Sequence, residues 1–193
     1  MKSRFLEQSE IKSLEMVLGA EAFLPLLVSL ETGLRIGDVV ALKRNAVKKD
    51  GIHYQAMKTK KRGIAKISAK TRKKLLENGS NHEKWLFPSP YKAGKHITRQ
   101  AVWQRLKKAG KSCGVDIEGL SPHSLRKVFA VELYREKGFQ AVKEALQHNY
   151  SATTEIYTFA DWNTGENASM PLTRKDLPLI VKMVLEAIGK EKT

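Results

Sequence analysis

Residues 32–38 read Thr-Gly-Leu-Arg-Ile-Gly-Asp, and they follow directly on an apolar run over residues 20–30. Gly33 can take the left-handed conformation that ends a helix, so the sequence predicts a helix that stops at Thr32-Gly33. A second, short helix is predicted from about Ile36 to Lys43. Arg35 then lies at the turn between two helices, where a rigid base can present its side chain.

Residues 44–68 have a different pattern. Asp50-Gly51 is typical of a hairpin turn, and apolar residues alternate with polar ones on either side of a second predicted turn at residues 58–63. This pattern predicts a small antiparallel sheet of about three strands.

The remainder of the chain is predicted to be helical. Thr98 is a candidate N-cap for a helix through about Lys111, and Ser121 is one for a helix that ends at Gly138. Further helices are predicted at residues 69–78, 141–147, 152–159 and 177–188, with a loop at 80–97 and a break at 162–171. The expected fold class is α+β and mostly α-helical, with the small three-stranded antiparallel sheet near residues 44–68 packed beside a helical bundle.

The chain carries 35 Lys and Arg against 20 Asp and Glu, a formal charge of +15. Such an excess favours a polyanionic partner, because lysines and arginines that neutralise phosphates release counterions. The lone Cys113 excludes an internal disulfide and a cysteine-based zinc site. No signal peptide is recognisable and no stretch approaches the roughly 18 apolar residues of a membrane span. The sequence therefore predicts a cytoplasmic protein that binds nucleic acid and has no membrane partner.

One set of polar residues matches the demands of phosphodiester cleavage. That reaction requires a nucleophile, cations for the non-bridging oxygens, a base, and an acid for the leaving oxygen. A tyrosine has a pKa near 10, so a cationic pocket or a base must offset a deficit of about 4 kcal/mol at pH 7. Guanidinium suits the phosphate and imidazole titrates near neutral pH. The candidates, in chain order, are Arg35, His123, Arg126, His148 and Tyr157.

Each candidate also has an ordinary structural interpretation. Arg35 could be a helix-end residue that pairs with Asp38, and Arg126 could be a surface arginine on a helix. His123 and His148 could be polar residues at helix ends. Single motifs are therefore weak, and the hypothesis depends on the ordered set.

The ordered set closely resembles the catalytic domain of tyrosine recombinases, the phage integrase family, over about residues 10–160. The resemblance implies that Tyr157 forms a 3′-phosphotyrosyl bond and that Arg35 and Arg126 hold the scissile phosphate. It implies that His123 is a general base or phosphate ligand and that His148 orients the phosphate. Asp38 would be a structural partner. Tyr150, two residues after His148, fits the family pattern poorly as a rival nucleophile.

The resemblance also implies a catalytic lysine at a strand end that enters a hairpin. The Lys-Thr-Lys-Lys run at residues 58–61 matches, with Lys58 as the general acid and Lys60 as the alternative. Lys60, Lys61, Arg62 and Arg99 are predicted DNA contacts. No metal and no cofactor are expected, because the phosphotyrosyl bond conserves the energy of the phosphodiester and the sequence has neither a phosphate-binding loop of the Walker type nor an acidic cluster.

The domain interpretation has two parts. Residues 1–173 form the catalytic domain, and residues 174–193 form a C-terminal helix or tail that could dock on a neighbouring protomer or pack in cis. In the family, a helical core-binding domain precedes the catalytic domain, and we expect it to be absent here. The sequence would then be either an excised catalytic domain or a naturally short recombinase. Weak affinity and selectivity for DNA follow from that expectation. Gln147 stands where the family usually has a glycine before the second histidine. The match to the family pattern is therefore weaker at His148 than at His123.

The predicted function is site-specific recombination or integration of double-stranded DNA, by a monomer that forms a homo-tetramer on DNA. Two alternatives remain: DNA relaxation by a type IB topoisomerase, which uses a similar side-chain set, and a non-catalytic DNA-binding relative.

Overall fold

The structure is a computed structural model that describes residues 3–78 and 84–146. Within those ranges the chain forms five α-helices and two β-strands, in the order α1 (Gln8–Thr32), α2 (Ile36–Val40), β1 (Ile52–Gln55), β2 (Arg62–Ala65), α3 (Ala69–Glu77), α4 (Arg99–Ser112) and α5 (Pro122–Leu146). The fold class is therefore α+β and mostly helical, as predicted. The predicted helices at 152–159 and 177–188, and the break at 162–171, lie outside the described residues.

Helix α1 consists of two segments joined at Gly19, whose φ of 73° is left-handed. The helix ends where the sequence predicted, because Gly33 takes a φ of 66° and its N–H donates to the carbonyl of Ser29. The left-handed geometry turns the chain sharply from α1 into α2. That turn places Arg35 at the N-cap of α2.

Among the described residues, α1 is the one helix long and apolar enough to cross a membrane by length and composition. The expectation that no stretch approaches a membrane span was therefore wrong for α1. Its apolar character has another explanation in the fold. Phe23, Leu26 and Val28 are each no more than 1% exposed within the core, as expected for a helix at the centre of a protein domain.

Helix α2 ends at Val40, earlier than the predicted Lys43. The residues that follow are drawn into extended pairing with a later segment. The carbonyl of Leu42 accepts a hydrogen bond of 3.0 Å from the amide of Leu86, and the amide of Arg44 donates to the carbonyl of Lys84 at 3.2 Å. These long-range bonds replace the last helical turn.

The sheet has two strands in the described part of the chain, and the prediction of about three was wrong in that detail. Strands β1 and β2 are antiparallel, with Ile52 opposite Ala65 and Gln55 opposite Arg62. The predicted first strand is reduced to an isolated bridge between Val47 and Ile52. Residues 44–46 form a 3₁₀ turn instead, because the Arg44 side chain donates to carbonyls at the end of α3, at 2.6 and 2.8 Å.

The later helices begin as the sequence indicated. Thr98 caps α4 by accepting a hydrogen bond of 3.1 Å from the amide of Ala101, and α5 begins at Pro122. Within α5, Gly138 has a φ of 74° and interrupts the helical geometry. The predicted break at Gly138 is thus confirmed, although the second segment begins directly after it.

The chain divides into two units, residues 1–132 and 133–193. The first contains the hydrophobic core, where residues of α1 pack with residues of α2, α3, α4 and the first turns of α5, represented by Leu14, Phe23, Val39, Leu75, Leu106 and Leu125. The second unit, in its described part, is the rest of α5, residues 133–146. The division predicted near residue 173 lies outside the described residues.

Candidate active site

Arg126 is buried in the first unit and holds the loop that carries Arg35. Its side chain is 3% exposed, and its Nη1 donates a hydrogen bond to the carbonyl oxygen of Gly33. Burial at this level rules out the surface-arginine interpretation. Because Gly33 lies two residues before Arg35, this bond connects the two arginines that were predicted to hold one phosphate.

The loop between α1 and α2 is stiffened by hydroxyl groups. Thr32 Oγ1 donates to the carbonyl of Val28 at 2.5 Å and accepts from the amide of Leu34 at 3.2 Å. Ser29 Oγ donates to the carbonyl of Leu34 at 2.8 Å. Both hydroxyl residues are buried. Their hydrogen bonds determine the path of the backbone into Arg35.

Arg35 is extended, with φ −64° and ψ 140°, and is half-buried. Its carbonyl oxygen accepts the first hydrogen bonds of α2, from the amides of Asp38 at 2.8 Å and Val39 at 3.0 Å. The backbone of Arg35 is therefore held on both sides, by the loop before it and the helix after it. This matches the predicted rigid base.

The first turn of α5 presents His123. Ser124, which is 0% exposed, accepts a hydrogen bond of 3.2 Å on its Oγ from the amide of Ser121. The Ser124 amide in turn donates to the carbonyl of Ser121 at 2.9 Å. The bond from the Ser121 amide to the Ser124 hydroxyl is one half of a capping box, and the two bonds together fix the start of the helix. His123 is exposed and lies three residues before Arg126, so both project from neighbouring positions on α5.

An N-terminal segment stabilises the approach to α5. The Arg4 amide donates to the carbonyl of Gly119 at 3.1 Å, and the Arg4 guanidinium donates twice to the carbonyl of Asp116, at 3.1 and 3.0 Å. The same guanidinium donates to both carboxylate oxygens of Glu10, at 3.2 and 2.6 Å. Its hydrogen bonds hold the pKa of Glu10 below the usual range.

The predicted lysine hairpin is connected to α2. The carboxylate of Asp38 is 8% exposed, and its Oδ1 accepts a hydrogen bond of 2.8 Å from the amide of Met57. Lys58 is the next residue. Asp38 was expected to be a structural partner, and the structure shows one specific contact of this kind, with the amide of Met57 in the hairpin.

The turn of the hairpin is closed by its own hydrogen bonds. Ala56 donates from its amide to the carbonyl of Lys61 at 2.9 Å and accepts on its carbonyl from the amide of Lys60 at 2.8 Å. Lys60 has a φ of 57°, and it is the one residue other than glycine with positive φ in the described chain. The backbone of Lys60 thus shapes the turn, and Lys58 as the general acid, with Lys60 as the alternative, is not tested by this geometry. That choice stays a prediction.

Tyr54 on β1 lies close to the same groups. Burial raises the pKa of its phenol; the Arg126 guanidinium acts to lower that pKa and the Asp38 carboxylate to raise it. Both charges therefore act on one half-buried side chain.

Sequence reasoning missed the residues that hold the site in shape. They are Ser29, Thr32 and Ser124. Hydroxyl residues directly before Gly33 and within the His123–Arg126 run were a usable signal, since buried hydroxyls bond the backbone.

The other predicted residues are placed as follows. Lys58, Lys60, Lys61 and Arg62 are exposed around the hairpin turn, and Arg99 is exposed at the start of α4. His148 and Tyr157 lie outside the described residues. Over the part of the chain that is described, no group of three or more His, Cys, Asp or Glu side chains could hold a metal ion.

Comparison with known proteins identifies the fold. The model of the phage integrase family matches residues 4–163. Tyrosine recombinase XerD of Bradyrhizobium diazoefficiens is 34% identical over 176 residues, which cover 81% of this chain and 54% of that protein. The crystal structure of XerA recombinase superposes with a TM-score of 0.66 and 24% identity, over 82% of this chain and 61% of that one. The crystal structure of a lambda integrase tetramer bound to a Holliday junction gives a TM-score of 0.63 and 16% identity, over 77% and 48%.

The fold and the pair of arginines define a tyrosine recombinase catalytic domain. The chain belongs to the phage integrase family. It spans about half the length of the curated relatives it matches.

Proposed function

We propose that this chain cleaves and rejoins double-stranded DNA as a site-specific recombinase, through a 3′-phosphotyrosyl intermediate. The observation that supports this most is the hydrogen bond from Arg126 to the carbonyl of Gly33. It ties α5 to the loop of Arg35, so that two guanidinium groups can serve one phosphate. Each guanidinium can donate two parallel hydrogen bonds to phosphate oxygens.

The proposed reaction assigns one role to each residue. The oxygen of Tyr157 attacks phosphorus and the bond to the 5′ oxygen breaks, while Arg35 and Arg126 neutralise the non-bridging oxygens. His123 accepts the phenol proton or binds the phosphate, and His148 orients it. Lys58 gives a proton to the departing 5′ oxygen. Rejoining is the reverse attack by a 5′ hydroxyl, which releases the tyrosine.

Double-stranded DNA is the proposed partner. The charge of +15 and the exposed Lys60, Lys61 and Arg62 supply electrostatic attraction, and Arg99 extends the basic surface to α4.

We propose a homo-tetramer on DNA, in line with the lambda integrase tetramer that shares the fold. Residues 174–193 are the proposed arm between protomers. The cytoplasm is the proposed location. Family membership favours recombination over topoisomerase activity.

The test is covalent trapping. A random-sequence pool of nicked duplexes is incubated with the full chain, and DNA that stays attached to protein under denaturing conditions is amplified and reselected. The expected result is an enriched duplex that forms a covalent adduct with the wild-type protein. A non-catalytic relative would bind DNA but trap none.

Tyrosine variants locate the nucleophile on the enriched duplex. Tyr157→Phe should abolish the adduct, whereas Tyr150→Phe and Tyr91→Phe should retain it. Tyr91 is a suitable control because its side chain is 88% exposed on a loop. An adduct that persists in Tyr157→Phe overturns the assignment.

A further inference from the structure

Asp38 connects the short helix α2 to the lysine hairpin. It lies three residues after Arg35, is 8% exposed, and accepts the amide proton of Met57 at 2.8 Å. Met57 itself is 59% exposed, so its side chain does not anchor the hairpin by burial. A buried carboxylate that accepts a backbone amide forms a strong, charge-assisted hydrogen bond.

The other hydrogen bonds described for the turn connect the hairpin to itself. Lys60 and Lys61 bond Ala56, and Gln55 Nε2 donates to the carbonyl of Lys60 at 3.0 Å. These bonds define the shape of the turn but not its position relative to the arginines. Ile52 and Ala56 anchor the hairpin by burial, and the bond from Asp38 adds a direct link to the arginine, because Asp38 and Arg35 belong to the same five-residue helix and its cap.

Tyr54 locates the strand that leads into the turn. Its phenol lies within electrostatic range of both the Arg126 guanidinium and the Asp38 carboxylate. Strand β1 ends at Gln55, two residues before Met57. Lys58 lies in the turn, directly after Met57, whose amide Asp38 holds.

We propose that Asp38 is a positioning residue for Lys58: by holding the amide of Met57, it sets where the general acid meets the departing 5′ oxygen. This inference rests on the proposed function. When the bond from phosphorus to the 5′ oxygen breaks, the Lys58 ammonium transfers a proton to that oxygen and becomes a neutral amine. Displacement by even about 1 Å is enough to slow such a transfer about 10²-fold.

Hydrogen exchange tests the contact without DNA. In Asp38→Ala the amide of Met57 should exchange about tenfold faster, in line with the loss of one hydrogen bond. In Asp38→Asn exchange should stay near the wild-type rate, because the amide oxygen of Asn can still accept. Asp50→Ala is the matched control, since this carboxylate bonds the exposed His53 at 2.9 Å. Unchanged exchange in Asp38→Ala overturns the inference.

Leaving-group chemistry tests the role. The enriched nicked duplex is synthesised with either oxygen or sulfur at the bridging 5′ position, because a thiolate leaves without protonation. Asp38→Ala should form adduct about 10²-fold more slowly on the oxygen substrate and recover most of that rate on the sulfur substrate. Lys58→Ala should behave in the same way, and Asp50→Ala should match the wild type on both.

The outcomes separate this inference from the proposed function. If Asp38→Ala is equally slow on both substrates, Asp38 acts through the arginines that hold the phosphate or through the fold. The inference then fails while the proposed function stands. If Asp38→Ala is as fast as the wild type on oxygen, the inference also fails alone. Failure of the wild type to form any adduct overturns the proposed function and the inference with it.

Discussion

Arg126 donates a hydrogen bond to the carbonyl oxygen of Gly33, a residue 93 positions earlier in the chain. The donor lies in α5 and the acceptor in the turn between α1 and α2. This contact joins the two arginine-bearing segments of the site, and it links the geometry of the site to the stability of the first unit.

Truncation at Arg126 should therefore affect both stability and chemistry. Arg126→Ala leaves the buried Gly33 carbonyl without its donor, at a cost of about 1–3 kcal/mol. Arg126→Lys keeps the charge but loses the planar fork, so adduct formation should still fall sharply. Urea unfolding and covalent trapping measure the two effects. Arg105→Ala, at an exposed position of α4, should change stability by no more than about 0.5 kcal/mol.

Two glycines of one motif should respond in opposite directions. Gly33 has a φ of 66°, so Gly33→Ala should destabilise the fold by about 1–2 kcal/mol and displace Arg35. Gly37 lies inside α2 with open space around an added Cβ. Gly37→Ala should stabilise by about 0.5–1 kcal/mol, as alanine does within helices. Urea unfolding of both variants is the measurement, and equal signs would contradict the backbone assignment.

Lys60 holds a left-handed conformation that glycine adopts more easily. With φ at 57°, Lys60→Gly should stabilise the hairpin or leave it unchanged, because relief of about 1 kcal/mol of strain opposes the entropy cost of glycine. Lys61→Gly has no such relief and should destabilise. Adduct formation should survive Lys60→Gly if Lys58 is the general acid. If a folded Lys60→Gly protein formed no adduct, Lys60 rather than Lys58 would be the general acid.

The Arg4–Glu10 pair should make stability depend on pH. The pKa of Glu10 is lowered in the folded state, chiefly by the hydrogen bond to Arg4. The contribution is therefore fully present above the unfolded value of 4.5 and is lost as pH falls through the lower folded value. Urea midpoints of Glu10→Gln should decline less than those of the wild type between pH 7 and pH 3. Glu118→Gln, on an exposed loop, serves as the control.

DNA binding should respond to salt through the hairpin. If Lys61 and Arg62 each contact one phosphate, each alanine variant should reduce the slope of log affinity against log salt by about 0.9. Lys73→Ala should leave the slope unchanged, since Lys73 lies 3.9 Å from Glu77 on the surface of α3. Titration of a labelled duplex at several salt concentrations measures the slopes. Identical slopes in all variants would remove the hairpin from the interface.

Local sequence signals predicted much of the fold. Gly33 ends α1, Thr98 caps α4 and Gly138 interrupts α5, each because one residue type satisfies a backbone requirement that others do not. The sheet departed from its pattern because Arg44 is engaged by the end of α3, 32 and 34 residues away. Such a distant contact leaves no trace in the local alternation of residues.

The same division applies to the site. The residue types and their order predicted Arg35, His123 and Arg126, and the described structure places them on connected elements of the first unit. The bonds from Arg126 to Gly33 and from Asp38 to Met57 were beyond sequence reasoning. Each joins segments whose separation is set by the core, and a single sequence records no pairing between them.

The long separation between Gly33 and Arg126 also orders events during synthesis. During synthesis, α1, α2 and the turn between them that carries Arg35 leave the ribosome before α5, and so does the lysine hairpin. Until then the nascent chain has one guanidinium of the pair and no donor for the Gly33 carbonyl. The hydrogen bond between Arg126 and the Gly33 carbonyl can form only once α5 has been synthesised. A chain truncated before α5 therefore lacks Arg126 and, with it, the donor for the Gly33 carbonyl.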